Sequence, residues 1–257
     1  MPDATDTTNT TNTPSYDAIA DWYDEYVRSE PLLYEVVIPA TLQLIGETGL
    51  LDGRVICDLA CGQGVIAREL ALRGAFVTAI DISERLLALA RDKPVATPHA
   101  ITWRLDDAQV GRTLADASFD GVVCNMALMD VPDLAAVLRT VARILRPGGW
   151  FVCSITHPCV QAPHSSWVTR ADGTVARESG DYFAEGFWRP VGAPGVRGRV
   201  GAYHRTLSSY LNALGAAGLT LDRALEPPAT EALISKTPGY RALPPALLLR
   251  CRRLPHR

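Results

Sequence analysis

Between Arg54 and Ile155 the chain alternates short β-branched, apolar runs with segments whose apolar residues recur at helical spacing. Few architectures accept that pattern. The strand candidates are 54–59 (RVICDL), 75–80 (AFVTAI), 100–105 (AITWRL), 119–124 (FDGVVC) and 150–155 (WFVCSI). They are nearly continuous apolar runs, as strands buried on both faces of a parallel sheet are. Between them, Val65 to Arg73 reads as a helix stopped by Gly74, and Glu84 to Asp92 as one capped by Ser83 and ended before Pro94. Asp133 caps a third helix, which carries Leu134, Val137, Leu138, Val141, Ile144 and Leu145 and is stopped by Pro147-Gly148-Gly149. Such alternation builds a doubly wound α/β sheet with right-handed crossovers.

The pattern breaks after Ile155. Residues 156–205 hold many Gly and Pro and no long periodic stretch, and a structureless segment of that length inside a domain reads as a lid or binding segment. Order returns with a helix from Thr206 to Ala217 and strands at Leu219–Glu226 and Ala246–Arg253. The expectation is therefore one mostly parallel sheet of seven strands, with no internal repeat. Aromatic residues gather outside the sheet. Tyr16, Trp22, Tyr23, Tyr26 and Tyr34 precede the first strand; Trp167, Tyr182, Phe183, Phe187, Trp188 and Tyr203 fall within 156–205. Both segments are placed to cover the C-terminal edge of the sheet and line an apolar pocket there, or simply to pack irregular chain onto the domain.

Composition narrows the function classes. With 257 residues, 47% apolar and 21% charged, the chain is of ordinary globular make-up, which excludes disordered, collagen-like and disulfide-scaffold classes. A formal charge of −3 gives no support for nucleic-acid binding, and the basic cluster Arg250, Arg252, Arg253 and Arg257 reads as a solvated end. No stretch approaches the roughly 18 apolar residues of a membrane span, so no membrane partner is expected. The opening MPDATDTTNTTNTP lacks the basic and apolar regions of a signal peptide, which points to a cytoplasmic protein and reduced cysteines. His157 and Cys159 are the single close pair of metal-ligand type, and with no second pair no metal is expected.

The stretch Asp58-Leu59-Ala60-Cys61-Gly62-Gln63-Gly64 joins the first strand to the following helix. Gly62 and Gly64 let the backbone turn tightly and approach a ligand, and the helix start offers free N–H groups. Gly62-x-Gly64-x-x-Ala67 also fits a dinucleotide fingerprint, with Asp81 at the end of the second strand. Asp58 separates the possibilities. A carboxylate beside the turn repels a pyrophosphate and attracts a ligand with a cationic amino group and a sulfonium. The acid favours S-adenosylmethionine over NAD.

Six ordered motifs carry a resemblance. They are YDAIADWYD (16–24), VICDLACGQG (55–64), VTAIDIS (77–83), LDDAQ (105–109), SFDGVVCNMALMDVPD (118–133) and LRPGGWFV (145–152). In them the chain resembles the class I S-adenosylmethionine-dependent methyltransferases, from about Tyr16 to Leu254. The resemblance implies a Rossmann-like methyltransferase fold with an N-terminal helical lid and a lid insertion after the fifth strand. The polar opening reads as a disordered tail over 1–13, and the resemblance implies a single domain over 14–257. Within that domain, 14–50 would be the helical lid, 51–155 the cofactor-binding core, 156–205 the substrate-covering segment and 206–257 the part that completes the sheet.

Carried over by position, the resemblance puts Asp58 near the methionine amino group, with Ala60 and the Gly62 and Gly64 backbone along that moiety. Asp81 would accept both ribose hydroxyls, Ile82 would pack on the adenine face, and Asp107 would accept from the adenine amine with Ala108 alongside. Asn125 would border the methionine moiety, and Tyr16 would reach the cofactor carboxylate. For Asp81 and Asp107 the competing reading is a helix-capping or loop carboxylate. Relatives often carry His-His where this chain has Met129-Asp130, so no role of those histidines transfers.

Methyl transfer from a sulfonium is an in-line displacement, so alignment in a dry pocket supplies much of the catalysis. A base helps where the acceptor is a hydroxyl or a protonated amine. The candidates are Tyr23 and Tyr26, one turn apart in the N-terminal segment, with His157 and His204 in the covering segment; each could equally be a packed lid residue. The expected acceptor is a small, aromatic molecule of natural-product type, methylated on O or N, or on the carbon of an indole. The covering segments are similar to those of small actinobacterial methyltransferases acting on natural products, among them enzymes that methylate indole carbons. The product would be S-adenosylhomocysteine and the protein a monomer or homodimer. A nucleic-acid methyltransferase and an NAD-dependent oxidoreductase are the alternatives.

Overall fold

Val55–Leu59 (β1) is an inner strand of a seven-stranded sheet, fifth from one edge. The protein is described by a computed structural model over residues 16–46, 51–97, 99–190, 192 and 194–254. The tail expected over 1–13, the residues 14–15 and 47–50 of the expected lid, and Arg257 lie outside the described residues. The further strands of the large sheet are β2 (Phe76–Asp81), β3 (Thr102–Leu105), β4 (Phe119–Asn125), β5 (Leu145–Thr156), β10 (Leu219–Leu225) and β11 (Ala246–Arg253), in the order β10-β11-β5-β4-β1-β2-β3. Parallel pairs join β1 to β2 and β4, β2 to β3, and β4 to β5. Strand β11 runs antiparallel to both β5 and β10. This is the doubly wound, mostly parallel sheet expected of the sequence.

The helices are α1 (Ala20–Arg28), α2 (Ile38–Gly46), α3 (Val65–Leu72), α4 (Glu84–Arg91), α5 (Leu134–Ile144), α6 (Val196–Val200), α7 (Leu207–Ala216) and α8 (Glu231–Lys236). Strand residues alternate between two cores. Cys57, Leu59, Val122, Phe151 and Cys153 meet α5 and α7 on one face. Ile56, Val123, Trp150 and Val152 meet α2 and α3 on the other. Both caps inferred from sequence form: Ser83 accepts from the Leu86 N–H at 3.1 Å, and Asp133 from the Ala136 N–H at 2.9 Å. A π-helical turn at Leu32–Val37 leads into α2 just before Pro39, whose missing N–H cannot sustain the ordinary ladder.

Four expectations change. Residues 156–205 are not structureless: they form two hairpins, β6–β7 (Ser166–Thr169, Val175–Glu178) and β8–β9 (Gly186–Trp188, Ala202–His204), with α6 between β8 and β9. Their strands are only three or four residues long, too short for a period to show. Strand β5 starts at Leu145, which pairs with Phe119 before the register shifts at the glycine pair. Strand β3 is an exposed edge rather than a doubly buried strand. The C-terminal arginines are structural ties, not a solvated end. Arg250 is buried and donates to the Leu44 carbonyl at 2.9 Å and to Asp222 at 3.0 Å. Arg252 pairs with Asp222, and Arg253 donates to the Leu145 carbonyl.

Candidate functional site

The C-terminal ends of β1, β2 and β4 face one crevice, at the point where the strand order reverses between β1 and β4. Asp58, next to last in β1, is 1% exposed, and its Oδ2 has no hydrogen-bond partner. Burial pushes its carboxyl up to about 7; the Ala67 N–H pulls the other way, Asp81 adds to the rise and Arg68 opposes it. A carboxylate this dry and half-bonded ionises most readily beside an added cation.

The chain leaves β1 through Ala60 (φ 57), Gly62 (φ 54) and Gly64 (φ 80). The left-handed value at Ala60 is costly for a residue with a Cβ and marks a turn held by its surroundings. A Cβ on Gly62 would meet nothing within 4 Å, so that face of the turn is open. A Cβ on Gly64 would sit 2.3 Å from Trp103, so Gly64 is small for packing as well as for its conformation. The Gly62 N–H donates to Asp81 Oδ2 at 2.7 Å and the Ser83 N–H to Oδ1 at 2.9 Å. Burial raises the Asp81 pKa against the pull of those two amides. Each oxygen keeps a lone pair for a further donor.

Ile82 follows Asp81 and is 65% exposed, an apolar side chain standing open beside the crevice. Asp107 caps its own loop, accepting from the Gln109 N–H at 2.8 Å and from Gln109 Nε2 at 3.1 Å. Ala108 is buried in the core under it. Asn125 Oδ1 accepts from Ser154 Oγ at 2.7 Å and lies 3.4 Å from Thr41 Oγ1. One residue of the crevice itself went unread in the sequence. Arg68, one turn into α3 from Gly64, has a buried Nη1 with no partner, and burial lowers its pKa while Tyr34, Asp24 and Asp58 raise it. Its place four residues past the glycine turn was the available signal.

A cavity of about 840 Å³ adjoins this crevice. Its wall is built by α1 and the turn after it, the ends of β4 and β5, both hairpins and α8. Apart from Met126, every wall residue comes before β1 or from the last residue of β5 onward. Tyr16, Tyr23 and Tyr26 line it, and burial raises all three phenol pKa values, Tyr26 to about 12 with help from Glu30. All three stay neutral near neutral pH. The Tyr16 hydroxyl donates to Asp130 Oδ2 at 2.9 Å, so in this structure it is committed to Asp130. Arg197 of α6 pairs with Asp130 Oδ1. Burial works against the Arg197 charge, but Asp130 and Tyr16 outweigh it and hold the pKa above its usual value. Neither Asp130 nor Arg197 was singled out in the sequence, because the ion pair joins segments 67 residues apart.

The two histidines stand elsewhere. His157 is buried, but its Nε2 donates to Glu226 Oε1 at 2.8 Å and it does not line the cavity. The residue turns from β5 toward the end of β10 instead. His204 Nε2 donates to the Tyr182 carbonyl at 2.7 Å, and the ring lines a narrow cleft beside the cavity with Arg205 and Tyr210. Among the described residues no three His, Cys, Asp or Glu converge to hold a metal, and no helix is long and apolar enough to cross a membrane.

Comparison with known proteins agrees with this geometry. A family described as methyltransferase domain matches residues 57–153. A ubiquinone biosynthesis O-methyltransferase of Bordetella bronchiseptica is 34% identical over 132 residues, 51% of this chain and 54% of that protein. The chain thus spans about half the length of the curated relatives it matches. A solved S-adenosylmethionine-dependent methyltransferase from Mesorhizobium loti is 32% identical, with a TM-score of 0.69, covering 84% of this chain and 96% of that one. A putative S-adenosylmethionine-dependent methyltransferase from Listeria monocytogenes, 23% identical with a TM-score of 0.68 over 84% of this chain and 100% of that one, shares the fold. With its glycine turn, buried strand-end acids and matching relatives, this chain belongs to the S-adenosylmethionine-dependent methyltransferases.

Proposed function

We propose that the chain transfers a methyl group from S-adenosylmethionine to a small aromatic acceptor held in the 840 Å³ cavity. The observation that carries the reading is an unsatisfied pair: Asp58 Oδ2 and Arg68 Nη1 are both buried and both lack partners. One wants a cation and the other an anion, which suits the ammonium and carboxylate of an amino-acid moiety. When bound, the cofactor supplies a methyl group already activated on sulfur.

In this reading Asp58 binds the amino group, Arg68 the carboxylate, and the open face of Gly62 lets the chain approach, with Ala60, Gly64 and Asn125 alongside. Asp81 accepts from the ribose hydroxyls, Ile82 offers its exposed face to the adenine, and Asp107 and Ala108 close that end. Tyr16 serves as a positioning residue through Asp130.

Tyr23 and Tyr26 orient the acceptor as phenol donors, and the hydroxyl class of acceptor is supported by the names of the O-methyltransferase relatives. Glu30, which lines the cavity with its side chain 18% exposed, is placed to take the proton such an acceptor loses. An electron-rich ring carbon, as in an indole of natural-product type, is the second reading. It is favoured by a wall of neutral aromatic faces and by the absence of both candidate histidines from the cavity lining.

A thermal-shift comparison tests the cofactor: S-adenosylhomocysteine should raise the Tm and NAD should not. A mass assay then reads the gain of one methyl group across phenols, amines, indoles and RNA. Stabilisation by NAD alone, or transfer to RNA alone, would overturn the proposal.

A further inference from the structure

The charges on the cavity wall do not balance. Arg197 is neutralised by Asp130, and Lys236 stands 3.9 Å from Glu30, the one carboxylate of the lining. Arg177 on β7 and Arg189 after β8 also line the cavity, and among the described residues neither has an acidic partner. The three tyrosines, with raised pKa values, add no negative charge near neutral pH. The wall therefore carries two uncompensated cations.

Arg177 is held ready. Its Nε donates to the Val160 carbonyl at 2.7 Å, and its guanidinium lies 4.9 Å over the Trp167 ring. Trp167 in turn meets Tyr240 edge-on at 5.4 Å, and Tyr240 accepts from Gln161 Nε2 at 2.7 Å. Half burial lowers the Arg177 pKa, with only Tyr240 acting the other way. With Nε used, the two Nη groups remain, a fork that matches the two oxygens of a carboxylate. A half-buried guanidinium without a counter-ion is a cost to the fold that a ligand anion removes.

We propose that the acceptor is an aromatic carboxylate: Arg177 takes its carboxylate, Arg189 adds attraction from the exposed rim, and the aromatic wall holds the ring. This deepens the methyltransferase reading and rests on it. It assigns Arg177 a specificity role that leaves the transfer step itself to other residues.

The test uses the full chain loaded with S-adenosylhomocysteine and matched probes, 2-naphthoate against 2-naphthamide and indole-3-acetate against indole-3-acetamide. Binding is read by calorimetry and by quenching of tryptophan fluorescence, since Trp188 lines the cavity and Trp167 lies under the Arg177 guanidinium. Each acid should bind at least about tenfold tighter than its amide, as a charge-assisted fork should beat a neutral hydrogen bond. Arg177→Gln should erase that preference, Arg177→Lys should keep part of it, and Arg189→Gln, at an exposed position, should reduce it without touching the fold. S-adenosylhomocysteine affinity should stay the same in all three, which separates this proposal from the cofactor reading. Equal binding of acid and amide by the wild type, no binding of either acid at millimolar concentration, or a preference that survives Arg177→Gln in a folded protein overturns it. Failure of S-adenosylhomocysteine to bind the wild type would instead count against the methyltransferase reading.

Discussion

The Gly62 N–H donates to the Asp81 carboxylate at 2.7 Å, so the glycine turn after β1 is anchored to the end of β2. The same carboxylate accepts from the Ser83 N–H, which ties in the start of α4. One side chain thus shapes three backbone segments of the crevice. Asp81→Ala should weaken S-adenosylhomocysteine binding by about 1–3 kcal/mol, the range for hydrogen bonds to a charged group, and should lower the Tm of the unliganded protein too. Unchanged affinity by calorimetry would remove Asp81 from the site.

The two glycines of the turn should fail in different ways. Gly62→Ala adds a methyl group into open space at φ 54, so its cost should be about 1–2 kcal/mol of backbone strain together with a marked loss of cofactor affinity. Gly64→Ala puts a Cβ 2.3 Å from Trp103 at φ 80, so its effect should be seen chiefly as a larger fall in Tm. Paired melting and binding curves check both; an inverted ranking would contradict the assignment of the open face.

Asp58 makes cofactor binding depend on pH. Its carboxyl in the free protein is pushed up to about 7, while an ammonium beside it favours the ionised form. Binding below that value should release up to about one proton, so affinity should rise as pH climbs from 5 toward 7 and then level off. The unliganded fold should show the opposite sign. Because the folded state holds this proton more tightly than the unfolded chain, stability falls as pH rises from the ordinary carboxylate range to about 7. Calorimetry in buffers of different ionisation enthalpy reads the proton count, and Asp58→Asn should flatten it.

The Asp130–Arg197 pair ties the segment after β4 to the second hairpin region and, through the Tyr16 hydroxyl, to the N-terminal segment. Removing Asp130 leaves a mostly buried guanidinium, so Asp130→Ala should destabilise by about 3–5 kcal/mol, partly as local opening of 186–205. A double-mutant cycle with Arg197→Met should show strong coupling, and limited proteolysis should cut within 186–205 first in the single mutant. Additive effects would mean the pair does not act as a unit.

The strands, helices and caps of 54–155 were readable because each obeys a local rule: an apolar run, a helical spacing, a capping Ser or Asp. Asp58, Gly62 and Asp81 were readable because the glycine turn and the strand ends fix their places. The cavity wall was readable only in part: the aromatic segments that supply Tyr16, Tyr23, Tyr26 and Trp188 were, and its charged residues were not. His157 follows a strand that should bring it to the pocket, yet a single turn of chain sends its ring to Glu226. Arg197 and Asp130 are joined by packing between segments with no shared period. The arginines of β11 read as a charged terminus, and only the sheet register shows that Arg250 turns inward to Leu44 and Asp222.

All but one of the residues around the cavity come from outside the stretch that the family match covers. In the proposed reading, donor recognition and acceptor recognition are thus written largely in separate parts of the chain. On that reading a swap of the outer layer would retune what is modified while residues 57–153 stay as they are, with Met126 the one wall residue they contribute.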